Sequence, residues 1–278
     1  MKRKFDEFLE IEIKNLGDLI KQVTPDFIDP KSGRFRDLSI FRGLPDKSWE
    51  LLTKLDRLGS NKPPYFQKSH LESHIFRNFI RYSKPYITRL IENRWEYLII
   101  AQHHLLPTRL LDWTFSPLAA AHFATIDRNT KADCVVWKLD WPLIHKHFSL
   151  EDHSYTCEEI DKLIKDRGFG SILDFFGKDD AKKNRFVCML EPPSIDNRIV
   201  AQSAAFTVSS NKKSSLNQIL VDSNIPEALT RYIIPNEKID IIRDQLDMCS
   251  VDERRLFPDL DGVAAEISRY YSTSPKQS

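Results

Sequence analysis

The sequence predicts an α+β domain, and three observations predict it. Apolar runs of strand length recur along the chain, amphipathic stretches of helical period lie between them, and the two do not follow the regular βαβ order of a doubly wound sheet. At 278 residues the chain can bury an ample core without metal or disulfide staples. Hydrophobic residues make up 41% and aromatic residues 11%, which excludes a disordered chain. Lys+Arg of 41 against Asp+Glu of 40 leaves a net charge of +1, so no global field draws the protein to nucleic acid or to a membrane. Local basic runs remain at Lys182-Lys183-Asn184-Arg185 and Lys212-Lys213.

The elements follow in order. Residues 1–24 place apolar side chains at mixed spacing, the later part fitting one face of an amphipathic helix, and Thr24-Pro25 through Gly33 reads as a loop. A short strand Leu38–Phe41 ends at Arg42-Gly43. Segment 47–58 has a helical pattern, Pro63-Pro64 breaks the chain, and 68–101 makes two helices parted near Ser83-Lys84-Pro85. Ser116 caps a helix whose first turn holds Pro117. Cys134–Leu139 is a buried strand; residues 142–185, charged and broken by glycines, form a peripheral helical insertion rather than core. Strands resume at Phe186–Leu190, Ile199–Ala201 and Ala205–Val208, followed by helix 215–222, strand 230–234, and helices 236–247 and 251–269. The expected organisation is residues 1–37 as an N-terminal helix and linker packed on the main domain, 38–270 as that domain, and 271–278 as a polar tail.

Cys134, Cys157, Cys188 and Cys249 lie too far apart for a zinc knuckle or a disulfide framework and are expected to be reduced core thiols. The first twenty residues lack a continuous apolar segment, and no run approaches the ~18–20 apolar residues of a membrane span, so the expected setting is the cytoplasm with no membrane partner. Polar chemistry concentrates around Arg42, from Gln102 to Ser116, and from Asn197 to Phe206. In the second segment Arg109 and Asp112 either pair in the core beside capping histidines or serve a ligand. His103 and His104 are adjacent, which is not the i,i+3 or i,i+4 spacing of helical metal ligands, and no metal is expected. No Gly-x-Ser-x-Gly nucleophile elbow occurs.

Phe41-Arg42-Gly43, the run from Ala101 to Thr114 and Ser116-Pro117-Leu118-Ala119 resemble the FRG-domain family, named for the first of these motifs. The resemblance continues through Arg198-Ile199-Val200-Ala201-Gln202 with Phe206-Thr207, and through Leu256-Phe257-Pro258-Asp259-Leu260-Asp261-Gly262. The family usually carries glycine where Leu105 and Ala204 stand. The last motif is expected to be structural, with Phe257 and Leu260 plugging the core and Asp259 or Asp261 capping a helix after Gly262. More distantly, Phe41-Arg42-Gly43 and Asp112-Trp113-Thr114 ahead of Ala120-Ala121-His122-Phe123-Ala124 are similar in order and spacing to ADP-ribosyltransferases of the arginine-serine-glutamate class, without their serines.

This second resemblance implies an ADP-ribosyltransferase-like split β core with surrounding helices, and NAD as substrate. It implies an enzyme that passes ADP-ribose to a macromolecular acceptor, protein or nucleic acid, in a toxin or antiphage defence role that admits an antitoxin or regulatory partner. A non-catalytic nucleotide-binding or interaction module and an NAD glycohydrolase are the alternatives. Arg42 would grip phosphate or ribose and Gly43 the carboxamide. His103, His104, Arg109, Thr114, Ser116 and Asn197 would complete the cofactor site, with Arg42, Asp112, Thr114 and Gln202 as the catalytic set. The late strand carries no glutamate at the expected slot, which leaves three outcomes: Gln202 or Asn197 substitutes, an acid such as Asp112 or Glu191 arrives from elsewhere, or NAD binds without turnover. Arg42, the 103–112 run and Gln202 are expected to line one pocket, with one of His103 and His104 facing it and the other packing.

Overall fold

A computed structural model describes residues 5–24, 28, 32–35, 37–58, 68–127, 131–177, 185–211 and 214–272. The Pro63-Pro64 break, much of the 24–33 loop, most of the polar tail and nearly all of both basic runs lie outside these residues. The fold is mixed α/β. Among the described residues seven strands form one sheet in the order β1-β7-β4-β2-β3-β6-β5, where β1 is Leu9–Glu12, β2 Ile40–Leu44, β3 Leu111–Thr114, β4 Cys134–Leu139, β5 Val187–Leu190, β6 Ala204–Ser209 and β7 Leu229–Ile234. Only β1 and β7 run parallel; every other neighbouring pair is antiparallel.

Because strand side chains alternate between faces, each strand feeds two cores. One face buries Ile40, Leu111, Trp113, Val135, Trp137, Met189 and Ala205 beneath α5 (Trp141–His147) and α9 (Leu216–Asp222). The other face divides. At the β7–β4–β2 end α1 (Leu16–Val23), α4 (Pro117–Thr125) and α10 (Ile239–Met248) cover Phe41, Val136 and Tyr232. At the β6–β5 end α2 (Lys68–Ser83), α3 (Arg94–His103), α6 (Cys157–Asp166) and α7 (Ile172–Gly177) cover Cys188, Leu190, Phe206 and Val208. The seam between these two cores lies over β2 and β3.

Several expectations change. The later part of the N-terminal segment is helical as expected, at Leu16–Val23, but Leu9–Glu12 ahead of it joins the sheet edge beside β7. The 142–185 segment is helical but not peripheral, since Ile160, Ile164, Phe175 and Phe176 are fully buried in the second core. Of 47–58 only Asp56–Leu58 forms a turn of 3₁₀ helix. Ile199–Ala201 is not a strand but part of a short helix, α8 (Asn197–Ala201), so the late strand starts only at Ala204. The 251–269 helix is two, α11 (Glu253–Leu256) and α12 (Leu260–Tyr270), because Asp259 caps a new start by accepting from Gly262 N at 2.8 Å. Leu260 is exposed rather than plugging the core, and Cys249 is an exposed thiol whereas Cys134, Cys157 and Cys188 are buried. Among the described residues no helix is long and apolar enough to cross a membrane.

The chain reversal after α3 shows what conformation Leu105 must adopt. Leu105 N donates to Gln102 O and Leu106 N to Ala101 O, the paired bonds of a Schellman cap, with Leu105 at φ 66° where glycine is the favoured residue. The corresponding left-handed residue after α8 is Ser203, at φ 46°, one position before Ala204. Leu105 is mostly exposed and gives up little burial when truncated. Leu105→Gly should therefore raise stability by about 0.5–1 kcal/mol, the left-handed penalty of leucine less the chain entropy of glycine. An unchanged or lower midpoint in urea unfolding would show that the Leu105 side chain holds the turn.

Candidate functional site

The seam between the two helical groups opens as a cavity of about 250 Å³ lined by Phe41, Arg42, Gly43, Lys54, Gln102, His103, Leu105, Asp112, Trp113, Thr114, Phe123, Arg198, Ile199, Gln202, Ala204 and Phe206. Four sequence-distant segments meet there, as expected for Arg42, the 103–112 run and Gln202. Its base is a defect in the sheet. β2 pairs with β4 over its whole length but with β3 only at Phe41↔Thr114, after which β2 and β3 part.

Arg42 fills that gap. It lies inside the strand rather than at its end, and its Nη1 donates to the Asp112 carbonyl at 2.6 Å, standing in for a missing ladder bond, with the Asp112 carboxylate Oδ2 at 3.5 Å. Burial lowers the Arg42 pKa and the Asp112 charge works against this. Arg42 Nε is buried with no hydrogen-bond partner among the described residues. Asp112 is half-exposed, and its Oδ1 accepts from Gln102 Nε2 at 2.8 Å. Gln102 Oε1 in turn accepts from Thr108 Oγ1 at 2.6 Å, so Thr108, Gln102, Asp112 and Arg42 form one chain of bonds joining α3, β3 and β2.

The other expected site residues divide. Thr114 lines the cavity, yet its hydroxyl is engaged: it donates to Gln202 O at 2.7 Å and accepts from Ser116 N at 3.0 Å. Gln202 is the C-cap of α8 rather than a strand residue, and its Nε2 donates to Leu256 O at 3.0 Å, tying the C-terminal motif to the cavity wall. His103 faces the cavity, 3.1 Å from Asp196, and burial lowers its pKa while the Asp196 charge opposes this. His104 does not pack inward; it is exposed, edge-on to His103, and faces a separate groove beside Tyr86 and Arg89.

Arg109, Ser116 and Asn197 leave the site. Arg109 is buried against Glu72 rather than Asp112, with Nε donating at 2.8 Å, and its guanidinium stacks over Phe175 and Phe176. It lines a different, smaller cavity with Thr53 and Thr207. Ser116 spends its hydroxyl capping α4 through Ala119 N, and Asn197 is exposed on the first turn of α8. Gly43 is first of all a packing residue, because a Cβ there would lie 1.9 Å from Ala120 O on α4. Glu191 is also remote, accepting from Ser154 Oγ at 2.7 Å.

Sequence reasoning gave no role to Lys54, Gln102 or Arg198. Lys54 falls in the stretch with a false helical pattern, and Arg198 marked only the place of an absent acid. Among the described residues no group of three or more His, Cys, Asp or Glu could hold a metal ion.

Fold and cavity together define a mixed α/β protein with a cationic, partly aromatic cleft where its sheet parts. Residues 37–133 match the family model of the FRG domain, a span that holds Arg42, Gly43, Lys54, Gln102, Asp112 and Thr114 and ends before β4. The Arg198–Gln202 wall and the 256–262 motif lie beyond it. No curated protein and no solved structure matches the chain.

Proposed function

We propose that the cleft binds NAD and that the protein is an ADP-ribosyltransferase-like enzyme passing ADP-ribose to a macromolecular acceptor. The observation that carries this reading is the parting of β2 and β3 with Arg42 and Asp112 set into the gap, which is in keeping with the split β core that the resemblance implies. Of the three outcomes left by the missing glutamate, an acid arriving from elsewhere fits best. Asp112 is the carboxylate among the cavity-lining residues, whereas Asn197 is exposed, the Gln202 amide nitrogen is bound to Leu256 and Glu191 to Ser154.

In the reaction the bond between ribose C1′ and the nicotinamide nitrogen breaks with its electron pair leaving on nicotinamide, which departs neutral. The ribose gains oxocarbenium character, which the Asp112 carboxylate, fixed by Gln102 and Arg42, stabilises without reorganising. The acceptor nucleophile then bonds to C1′ and loses a proton. Phe41, Phe123 and Phe206 offer apolar surface for the rings.

Asp112→Asn keeps the shape and the Gln102 contact but removes the charge, so nicotinamide release should fall about 100-fold or more. Binding of NAD should change far less. The measurement is nicotinamide release with and without protein or nucleic-acid acceptors, beside NAD titration by calorimetry. Binding without release from the wild type would make the protein a nucleotide-binding module, and release at full rate without acceptor a glycohydrolase.

A further inference from the structure

We propose that Lys54 and Arg198 form a phosphate clamp across the cleft, so that the charge of the bound nucleotide's pyrophosphate is recognised by these two side chains rather than by Arg42. The proposal rests on the reading that the cleft takes a nucleotide, and it names the part of that ligand the protein grips.

Arg42 is committed to the Asp112 carbonyl and lies against its carboxylate. Asp112, the acid of the cleft, is already held by Arg42 and Gln102. Lys54 and Arg198 line the same cavity, Lys54 from the segment following β2 and Arg198 from α8 ahead of β6. Among the described residues neither charged head has a hydrogen bond or ion pair. The Arg198 guanidinium instead rests 4.6 Å over the Phe257 ring, which itself stands edge-on to Phe123 of the cavity wall. That stacking holds Arg198 in place while leaving its five N–H donors unspent.

The electrostatics point the same way. Arg57, Arg198 and Arg42 all act on Lys54 as like charges, against the single opposing charge of Asp112. Burial, and these like charges with it, lower the Lys54 pKa. Cations gathered in a partly desolvated cleft without matching acids repel one another, and a ligand bearing two adjacent negative groups relieves the repulsion. A pyrophosphate carries two adjacent negative groups, and two cations on separate elements can each take one phosphate.

The test uses ADP-ribose and adenosine as probes, titrated calorimetrically into wild type, Lys54→Gln, Arg198→Gln and Arg198→Lys. ADP-ribose affinity should fall about tenfold for each loss of charge. Arg198→Lys should recover part of it, adenosine binding should not change, and added salt should weaken ADP-ribose binding less in the variants than in wild type. Thermal unfolding checks that each variant is folded; if Arg198→Gln is not, Lys54→Gln decides, since Lys54 is half-buried and makes no bond among the described residues. Equal affinity of wild type and folded variants for ADP-ribose, or no binding to wild type at millimolar probe, would overturn the clamp. NAD binding and turnover untouched by these substitutions would likewise remove the clamp while leaving the transferase reading in place. Clamp-dependent binding of ADP-ribose by a protein that neither binds nor cleaves NAD would uphold the clamp and remove that reading.

Discussion

Gly43→Ala should lower the stability of the protein by about 3 kcal/mol or more, and should abolish ligand binding in whatever fraction still folds. A Cβ at this position would sit 1.9 Å from Ala120 O and 2.5 Å from Ala124 N. Both are backbone atoms of α4, so no rotamer change can clear them. The helix would have to move away from β2, carrying Phe123 out of the cavity wall and opening the core of Phe41, Ala120 and Ala124. Urea unfolding and ADP-ribose titration of Gly43→Ala beside wild type measure both effects. A variant with wild-type stability would mean that α4 does not press on β2. The glycine of the Phe-Arg-Gly motif thus explains itself by close approach, before any part in binding a carboxamide.

The second large effect belongs to Glu253→Gln, which should cost about 3–5 kcal/mol at pH 7. Glu253 is buried and accepts from Arg269 Nε at 2.8 Å and 3.0 Å, while Arg243 Nη2 donates to the same carboxylate. Arg243 is also buried, 3.3 Å from Nδ1 of buried His122. Without the carboxylate, Arg243 stays buried beside Arg269 and a histidine, with no acid bonded to it among the described residues. Burial opposes ionisation of Glu253, but the Arg269 hydrogen bonds and the Arg243 charge outweigh it and bring its pKa from 4.5 to about 2. A carboxylate held down in the folded state stabilises above pH 4.5, and that contribution disappears as pH falls toward 2. Burial and the Arg243 charge lower His122 from 6.5 to about 4, so the unfolded chain takes up its proton first and stability also declines from pH 6.5 to 4. Wild type should weaken continuously below neutrality, and the gap between it and Glu253→Gln should narrow below pH 4.5. Urea unfolding at pH 7, 5 and 3 tests this; a gap that stays constant with pH would show that the carboxylate charge contributes nothing.

What the sequence revealed follows the range of the interactions involved. The helix after Ser116 and the strand Cys134–Leu139 are governed by local signals, a capping hydroxyl with proline behind it and an apolar run interrupted by Lys138, and both were legible. Leu9–Glu12 was not, because its strand character comes from pairing with Thr230–Ile233 at the far end of the chain. Segment 142–185 looked peripheral because charged residues dominate its composition, yet Ile160, Phe175 and Phe176 hold one face of it against the sheet. In the site, convergence of Arg42, Asp112 and Gln202 was legible from motif order. The partners were not: Arg109 sits three residues from Asp112, but strand alternation and the β3 entry turn it toward Glu72, which no local pattern announces. Ile199–Ala201 carried a strand composition, and Asp196, accepting from Arg198 N at 2.7 Å, starts a helix there instead.

The pairing of β1 with β7 also sets a timetable. Leu9–Glu12 leaves the ribosome well before its partner Thr230–Ile233, a delay of roughly 10–45 s at ordinary ribosome speeds. Throughout that interval the nascent segment must stay unpaired without joining another chain's sheet. Its composition suits the wait: Glu10 and Glu12 put charge on alternate positions of the strand, a pattern that discourages strand-to-strand association between copies. Arg231 then arrives on β7 and binds Glu10, so that the residue guarding the strand during synthesis becomes the one that docks it.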